Sequence, residues 1–277
     1  MAMEWMRGKR VLVTGANGTI GRPLVARLTA AGAHVTAWDR RLTSPLDPDH
    51  GRLFVTSLRP HVIFHLAVAS VQTHVVDESR KINRDWPVWL AEVAEEIGAK
   101  LVFTSTAMVF SSDASGPFSL DAKPDSPNGY GYEKRRAEQE IAERAPNAVT
   151  VRLGWQIDES LGLGTNNMVD NLARQVEDRG RIHASTRWLP ACSFLADTVD
   201  ALIGFAERPG GLYMLDANEG WTFHDIALAL ADRTGRGWMV EPTDDFVHDQ
   251  RLIDPRVRVP SLREHLPPLR NVDPAPV

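Results

Sequence analysis

The chain has 277 residues and 43% hydrophobic content, which suits one large domain or a domain with a dependent lobe. A net charge of −5 without any basic run argues against a nucleic-acid partner, and no stretch approaches the ~18 apolar residues of a membrane span. The single cysteine, Cys192, excludes an internal disulfide, and residues 1–9 lack the apolar core of a signal peptide, so we expect a cytoplasmic protein.

The first predicted elements are a short apolar strand, a glycine-rich turn and a helix. Residues 11–13 are apolar and mostly β-branched, as in a strand buried on both faces, and residues 23–32 have helical spacing before a glycine stop. Between them, Gly15 permits a tight turn, Gly18 lets the backbone approach a pyrophosphate, and Gly21 lets the helix pack closely on the strand. This pattern predicts a dinucleotide site with its phosphates at the helix N-terminus. Its predicted residues are Gly15, Asn17, Gly18, Thr19, Ile20 and Gly21.

A second predicted strand, residues 33–39, ends in an acid roughly 20 residues beyond the glycines. Asp39 is placed to accept hydrogen bonds from the adenosine ribose hydroxyls, which slightly favours NAD as the cofactor. Arg40 follows at once, and an arginine there can hold a 2′-phosphate, so NADP stays open. In the short loop beyond, Asp47 and Asp49 are both candidates for an adenine contact.

Strands and helices keep alternating as far as residue 153. The pattern predicts helices at residues 51–59, 77–98 and 130–144, and strands at residues 62–67, 101–106 and 148–153. Strands that alternate with helices indicate an α/β fold with a parallel, doubly wound sheet of the Rossmann type and right-handed crossovers. We therefore predict a dinucleotide-binding domain in residues 1–153.

Beyond residue 153 the pattern loosens. It predicts helices at residues 166–178, 195–208 and 222–234, and a strand at residues 211–215. These elements predict a small α/β C-terminal lobe in residues 154–277, which binds the substrate and is dependent on, and interleaved with, the first domain. Residues 271–277 are expected to be frayed.

Small and hydroxyl-bearing residues stand where the third and fourth predicted strands end. A cofactor that crosses the strand tips would lie against them. The predicted cofactor contacts here are Leu66, Ala67, Val68 and Thr104, and Ser70 is a candidate substrate contact. His61, His65 and His74 fall nearby, but no carboxylate pair or cysteine accompanies them, so we predict no metal site.

Three groups suited to proton transfer follow the dinucleotide turn. Thr106 ends the predicted fourth strand, and its hydroxyl can donate to a carbonyl oxygen. Tyr130 opens the next helix, and Lys134 lies one turn further along the same face. Since a neighbouring ammonium favours the phenolate, we expect Lys134 to lower the Tyr130 pKa from about 10 towards neutrality. The order of the three groups predicts a catalytic site beside a hydride carrier, and a solvent-facing Tyr/Lys pair is the simpler alternative.

The sequence resembles the extended short-chain dehydrogenase/reductases, and the resemblance covers most of the chain. Within that family it is most similar to the dTDP-4-dehydrorhamnose reductase branch. The resemblance is carried by residues 14–21, 59–67, 105–110, 130–134, 152–155, 194–201 and 211–215. It implies NAD(P)H-dependent reduction of a 4-keto group on a nucleotide-linked 6-deoxysugar.

The resemblance also implies roles for individual residues. It gives carbonyl orientation to Thr106, the part of general acid to Tyr130, and ribose contact and pKa tuning to Lys134. Asn83 matches an asparagine that supports the active-site backbone in the family, and it is included among the predicted cofactor contacts.

Two departures from the reductase branch fall near the expected substrate pocket. That branch usually has an acid and an aromatic residue after the threonine, where this sequence has Ala107 and Met108. It also tends to have hydroxyl residues where this sequence has Leu153 and Gly154. The candidate substrate contacts are Ser70, Ala107, Met108, Trp155 and Arg187, with Arg181 and His183 as further candidates for a diphosphate.

Other hypotheses stay open beside the reductase. A nucleotide-sugar 4-epimerase uses the same three groups, although its C-terminal lobe is usually longer, and the missing acid pair after Thr106 argues against a 4,6-dehydratase. A hypothesis of another class is a catalytically silent NAD(P)-binding regulatory subunit. The predicted partner is a small molecule, without nucleic acid or membrane, and the helices at residues 77–98 and 130–144 are candidates for a homodimer contact.

Overall fold

The computed structural model describes residues 4–69, 75–114, 116–164 and 166–275. Its strands are β1 Arg10–Thr14, β2 His34–Ala37, β3 Val62–His65, β4 Lys100–Thr106, β5 Phe118–Ser119, β6 Val149–Leu153, β7 Trp155–Ile157, β8 Ile182–Ser185, β9 Trp188–Leu189, β10 Cys192–Phe194, β11 Gly211–Leu215, β12 Val240–Thr243, β13 His248–Asp249 and β14 Leu252–Ile253. Its helices are α1 Gly21–Ala30, α2 Pro48–Leu58, α3 Glu78–Arg80, α4 Trp86–Ile97, α5 Gly129–Arg144, α6 Met168–Arg179, α7 Leu195–Phe205, α8 Phe223–Thr234 and α9 Leu262–His265.

A six-stranded parallel sheet carries the predicted dinucleotide site. The strand order is β2-β1-β3-β4-β6-β11, and Leu12 of β1 lies beside Thr36 of β2 on one side and Ile63 of β3 on the other. β3 and β4 are buried along nearly their whole length, as expected of strands covered on both faces. The predicted Rossmann-type parallel sheet is therefore confirmed. Its sixth strand is β11, which the sequence places in the C-terminal half of the chain.

The chain divides into two compact units. One is assigned Met1–Val109, Pro124–Arg152 and Val199–Tyr213, and the other Phe110–Lys123, Leu153–Thr198 and Met214–Val277. One transition lies at the end of β6, beside the predicted boundary after residue 153. Residues 110–123 precede the predicted boundary but belong to the second unit. Residues 199–213 follow the boundary but belong to the first unit.

Tryptophan side chains build the core of the first unit. The ring of Trp38 lies 5.3 Å from that of Trp86 and meets Phe54 edge-on at 5.1 Å. Trp89 joins the same cluster, with its ring 6.1 Å from Trp38. Because Trp86 and Trp89 are both on α4, this aromatic cluster fixes the position of that helix.

The long helix predicted at residues 77–98 is interrupted. Between α3 and α4, Lys81–Asp85 forms a π-helical turn, and α4 ends at Gly98 with φ +68°. Hydrophobic spacing does not reveal the extra residue of a π turn, so the sequence predicts one continuous helix. Such turns are frequent at functional sites, and this one contains the predicted site residue Asn83.

The second unit is built from helices and short parallel strand pairs. The pairs are β7 with β10, β8 with β12, β9 with β13, and β5 with β14. Its core contains Trp221 and Ile226, each at most 1% exposed, and three leucines near the C-terminus, Leu262, Leu266 and Leu269. Of the helices in the described ranges, none combines the length and the hydropathy that crossing a bilayer requires.

The end of the chain is tied to this core. Ala275 donates its backbone N–H to Gly220 at 2.8 Å, and the Trp221 indole donates to the Val272 carbonyl at 3.3 Å. The predicted fraying is therefore wrong for residues 271–275, because the tail covers a buried tryptophan. Residues 276 and 277 lie outside the described residues.

Leu266→Ala is expected to destabilise the protein by about 2–5 kcal/mol, because the leucine is fully buried and its removal leaves a cavity. The matched control is Leu228→Ala, since Leu228 on α8 is 46% exposed and its loss should cost only about 0.5 kcal/mol or less. Urea unfolding of the two variants measures the difference. Equal free energies of unfolding would show that the C-terminal leucines are not part of the core.

Candidate active site

The three glycines between β1 and α1 are constrained by different neighbours. Gly15 has φ +68°, and a Cβ placed on it would lie 2.8 Å from the Ala67 backbone nitrogen. A Cβ on Gly21 would lie 2.1 Å from the Gly15 carbonyl oxygen, whereas one on Gly18 would lie 3.2 Å from that atom. The fold itself therefore requires Gly15 and Gly21. Gly18 is exposed, so its backbone is open to a ligand that approaches closely.

The N-terminus of α1 fits the diphosphate of a dinucleotide. Ile20 occupies the N-cap position without a side-chain cap, and the first turn carries no acid. Arg22 donates its backbone N–H to the Gly18 carbonyl at 3.1 Å and Pro23 has no N–H, so it is the positive end of the helix dipole that this turn presents to an anion. Asn17 is exposed, and Thr19 and Ile20 are half-buried. The residues present can thus hold the phosphates of a dinucleotide cofactor.

A threonine that the sequence analysis missed connects the ends of β1 and β3. The Thr14 hydroxyl oxygen accepts the backbone N–H groups of Leu66 and Ala67, each at 3.2 Å, and lies 3.0 Å from Nδ1 of His65. With two N–H groups donated to it, the hydroxyl gives its own proton to Nδ1, which leaves the imidazole proton on Nε2. The hydroxyl residue at the end of a buried strand is the signal that could have revealed it.

His61 precedes β3 and His65 ends it, so the two lie at opposite ends of the strand, and each is hydrogen-bonded to β1. His65 is fully buried, and burial together with the charge of Lys134 holds its pKa well below the usual value. Nδ1 of His61 accepts the Arg10 backbone N–H at 3.0 Å, and His74 lies outside the described residues. In the part of the chain that the structure describes, no group of three or more His, Cys, Asp or Glu residues could hold a metal ion.

Asn83 holds the backbone that follows β3. Its side chain is fully buried, its Oδ1 accepts the N–H of Ala69 at 3.1 Å, and its Nδ2 donates to the Ser79 hydroxyl at 3.2 Å. The residue therefore acts behind the predicted cofactor surface and supports it. Val68, one of the predicted contacts on that segment, is 37% exposed and available to a ligand.

The structure brings Tyr130 and Lys134 together at the end of β4. Nζ of Lys134 donates to the Thr104 carbonyl at 2.9 Å and lies 5.8 Å from the centre of the Tyr130 ring. The Thr106 hydroxyl accepts the backbone N–H of Met108 at 3.2 Å, which keeps its own proton available for another acceptor. A Cβ on Gly131 would lie 1.9 Å from the Met108 carbonyl oxygen, so α5 begins in close contact with the segment after Thr106.

The pKa values of the Tyr/Lys pair differ from the expectation. Burial lowers the pKa of Lys134 to about 7, against the opposing effect of the Glu138 carboxylate. Burial raises the pKa of Tyr130 above its usual value, so the predicted lowering by the ammonium is wrong for the protein alone. The physical reason is that desolvation outweighs the charge of a lysine that is itself only partly protonated near neutrality. Tyr130 is consequently a protonated phenol at pH 7.

Asp39, the acid that follows β2, already forms an ion pair with Arg41. The Asp39 carboxylate accepts the Arg41 guanidinium at 2.9 Å and the Arg41 backbone N–H at 2.9 Å, and these bonds lower the pKa of Asp39. Arg40 is exposed and makes no ion pair with any described residue. Asp47 caps α2 by accepting the His50 N–H at 3.1 Å, and Asp49 lies exposed in the first turn of that helix.

Known proteins match this chain over most of its length. The family model described as the RmlD substrate binding domain matches residues 9–251. The chain belongs to this family. A dTDP-4-dehydrorhamnose reductase of Streptomyces griseus is 29% identical over 264 residues, which cover 90% of this chain and 84% of that protein.

Solved structures agree with the fold of this RmlD-family chain. The dTDP-4-dehydrorhamnose reductase of Bacillus anthracis strain Ames, in complex with NADP, has a TM-score of 0.79 at 22% identity and covers 94% of this chain and 96% of its own. The UDP-glucose 4-epimerase of Thermotoga maritima, with UDP-glucose, has a TM-score of 0.71 at 20% identity and covers 89% of this chain and 90% of its own.

The predicted substrate residues of this family member lie in both units. Ala107 is buried, whereas Met108 is 52% exposed and presents its thioether side chain at the surface. In the second unit, Trp155 is half-buried, with its ring 6.5 Å from that of Trp188, and Arg187 is exposed. Ser70 lies outside the described residues.

The second unit contains an open pocket of about 440 Å³ that sequence reasoning largely missed. Its apolar lining includes Trp188, Phe223 and Phe246, and the Trp188 indole nitrogen is buried without a partner among the described residues. Arg174 and His183 bring polar groups to the pocket, whereas Arg181 does not line it and instead pairs with Glu241. Helical spacing predicts α6, but it does not show which side of that helix faces β8. The residues that line the pocket could therefore be identified only from the tertiary structure.

Proposed function

We propose that the protein is an NAD(P)H-dependent reductase of a keto group on a nucleotide-activated deoxysugar or related small molecule. The observation that carries the proposal is that Lys134 lies beside Tyr130 and is bonded to Thr104 of β4, the strand that ends at Thr106, in the same unit as the glycine turn. Membership of the RmlD substrate-binding family supports it, as does the name of the Streptomyces griseus relative.

In this mechanism each group at the site has a separate task. A bound reduced nicotinamide supplies hydride to the carbonyl carbon. Tyr130, protonated at neutral pH, donates its phenolic proton to the carbonyl oxygen as charge develops there. The Thr106 hydroxyl donates a hydrogen bond to that oxygen and so orients it. Lys134, fixed on the Thr104 carbonyl, would contact the ribose of a bound cofactor and favours the phenolate that proton donation leaves behind.

We propose further that the pocket of the second unit holds the nucleotide part of the substrate. Aromatic side chains such as Trp188 and Phe246 provide flat apolar surface for a base, and Arg174 offers a fork of donors suited to phosphate oxygens. The oligomeric state stays a prediction.

The direct test is to incubate the protein with NADPH and a panel of nucleotide-linked keto sugars, and to follow both cofactor oxidation and products. A reductase consumes one cofactor per sugar reduced. A 4-epimerase interconverts nucleotide sugars without net consumption, and a silent regulatory subunit does neither. Failure of every keto sugar to oxidise NADPH would overturn the proposal.

We propose NADPH as the preferred cofactor, in place of the slight preference for NAD that Asp39 indicated. Arg41 neutralises the Asp39 carboxylate, whereas the exposed Arg40 is available to a 2′-phosphate. Arg40→Ala should therefore weaken NADPH binding about ten- to a hundredfold and leave NADH binding nearly unchanged, since a hydrogen bond to a charged group contributes about 1.5–3 kcal/mol.

The matched control removes the same charge one residue further on. Arg41→Ala releases Asp39 to accept the ribose hydroxyls and to repel a 2′-phosphate, so it should shift preference towards NADH. Titration of cofactor fluorescence with each variant measures the dissociation constants. If Arg40→Ala lowers the affinities for NADPH and NADH equally, Arg40 does not select the cofactor.

A further inference from the structure

A buried ion pair lies one helical turn beyond Lys134. Arg152 of β6 donates from Nε and Nη2 to the two carboxylate oxygens of Glu138 on α5, at 3.0 and 2.7 Å. Arg152 is 3% exposed and Glu138 is 8% exposed. Both oxygens of the carboxylate therefore face the planar fork of one guanidinium, the geometry in which an arginine binds a carboxylate most firmly.

Glu138 is also a neighbour of Lys134. The two residues are four apart on α5, and such residues lie on one face of a helix. Lys134 is fully buried, and the charged or titratable groups around it are Tyr130 and Glu138 on its own helix and His65 on β3, with Arg152 on β6 behind Glu138. A free Glu138 carboxylate would be the strongest attraction for the lysine ammonium in this environment.

The observed bonds show a different partner for the lysine. Nζ of Lys134 donates to the Thr104 carbonyl and lies over the Phe103 ring at 4.5 Å, on the side of the site that also contains Tyr130. The Glu138 carboxylate is held by Arg152. The Glu138 carboxylate thus lies near two cations, Lys134 and Arg152. It is bound to Arg152, which lies outside the site.

We propose that Arg152 is a positioning residue for the reaction: by holding both oxygens of Glu138, it prevents that carboxylate from capturing Lys134 and leaves the ammonium on Thr104, facing Tyr130. The proposal rests on the assignment of Lys134 to the active site. Burial lowers the pKa of Lys134 to about 7, and the charge of Glu138 acts in the opposite direction.

The chain offers an unusually simple test, because it contains only five lysines, Lys9, Lys81, Lys100, Lys123 and Lys134. Protein labelled with ¹³C at the lysine ε-carbon gives five resolvable titrations by NMR, and Lys134→Arg identifies the signal of Lys134. In Arg152→Met the unshielded Glu138 should raise the pKa of Lys134 by about one unit or more, the usual effect of a close opposite charge.

Three further variants make the result specific. Arg152→Lys keeps a buried positive charge but not the fork, so it should fold readily and raise the Lys134 pKa by a smaller amount in the same direction. Glu138→Gln should lower it. Arg84→Met is the matched control, because Arg84 pairs with Glu140 on the same helix but is not among the groups around Lys134, and the Lys134 titration should not move.

The possible outcomes test the positioning role of Arg152 separately from the proposed reductase activity. An unchanged Lys134 titration in both folded Arg152 variants would overturn the positioning role, whatever the activity of the protein. If the Lys134 pKa rises as expected and no keto sugar is reduced, the positioning is supported and the reductase proposal fails. With an active enzyme, the pH profile of turnover in Arg152→Lys should shift in parallel with the NMR titration.

Discussion

Replacing Tyr130 with phenylalanine is expected to lower the turnover of a keto sugar by about 10²-fold or more, the usual contribution of a positioned general acid. The substitution keeps the aromatic ring at the start of α5 and removes only the hydroxyl. Proton donation to the carbonyl oxygen is lost, whereas the glycine turn and Lys134, which we propose hold the cofactor, are unchanged. NADPH affinity should therefore stay close to that of the wild type.

The chain supplies its own control for this experiment. It has three tyrosines, and Tyr132 lies two residues further along α5, with its ring facing the Arg135 guanidinium at 5.3 Å. Tyr132→Phe removes the same atom from the same helix and should leave turnover within about twofold. Cofactor oxidation measured at saturating substrate gives turnover, and fluorescence titration gives the affinity. Turnover of Tyr130→Phe that matches Tyr132→Phe would remove Tyr130 from the mechanism.

The raised pKa of Tyr130 gives this prediction a pH dependence. A phenol whose pKa lies above its usual value remains protonated throughout the neutral range, so loss of its proton does not limit reduction near pH 7. Lys134, with a pKa of about 7, does titrate there. We therefore expect the wild-type turnover to fall as pH rises through neutrality, and Lys134→Met to remove that step.

The parts of this protein that its sequence predicted are those fixed by local patterns. The glycine turn, the apolar strand before it and the Tyr130–Lys134 spacing each occupy a short stretch, in which backbone geometry follows directly from residue type. The parallel sheet followed because its buried strands have continuous apolar sequences, but its sixth strand, β11, did not, since the sequence assigns residues 211–215 to the C-terminal lobe. These features need no knowledge of which distant residues meet.

The features that the sequence did not reveal depend on distant partners. The bond from Thr14 to His65 joins residues 51 positions apart, and the bonds from Arg152 to Glu138 depend on the packing of α5 against β6. The neutralisation of Asp39 by Arg41 is local, but Arg40 is an equally plausible partner in the sequence alone. Two-residue strands such as β13 have no periodicity to detect, so the pairs of the second unit were missed.

Two glycine substitutions are expected to separate cofactor binding from folding. A Cβ on Gly21 lies 2.1 Å from the Gly15 carbonyl oxygen, so Gly21→Ala must displace backbone atoms, at a cost of about 1–3 kcal/mol or more. A Cβ on Gly18 lies 3.2 Å from the same oxygen, which a small shift relieves. Gly18→Ala should therefore fold with nearly wild-type stability.

For cofactor affinity we expect a large effect of Gly18→Ala, although its effect on stability is small. A methyl group on Gly18 projects from the exposed surface that a pyrophosphate must approach, so we expect NADPH affinity to fall on the order of tenfold or more, equivalent to about 1.4 kcal/mol. Urea unfolding without cofactor measures stability, and fluorescence titration measures binding.

Gly98→Ala at the end of α4 controls for the general cost of adding a methyl group to a glycine. A Cβ there meets no atom within 4 Å, although its φ of +68° adds strain. If Gly18→Ala binds NADPH as tightly as the wild type, the diphosphate does not lie on this turn, and the dinucleotide site must be sought elsewhere along the strand ends.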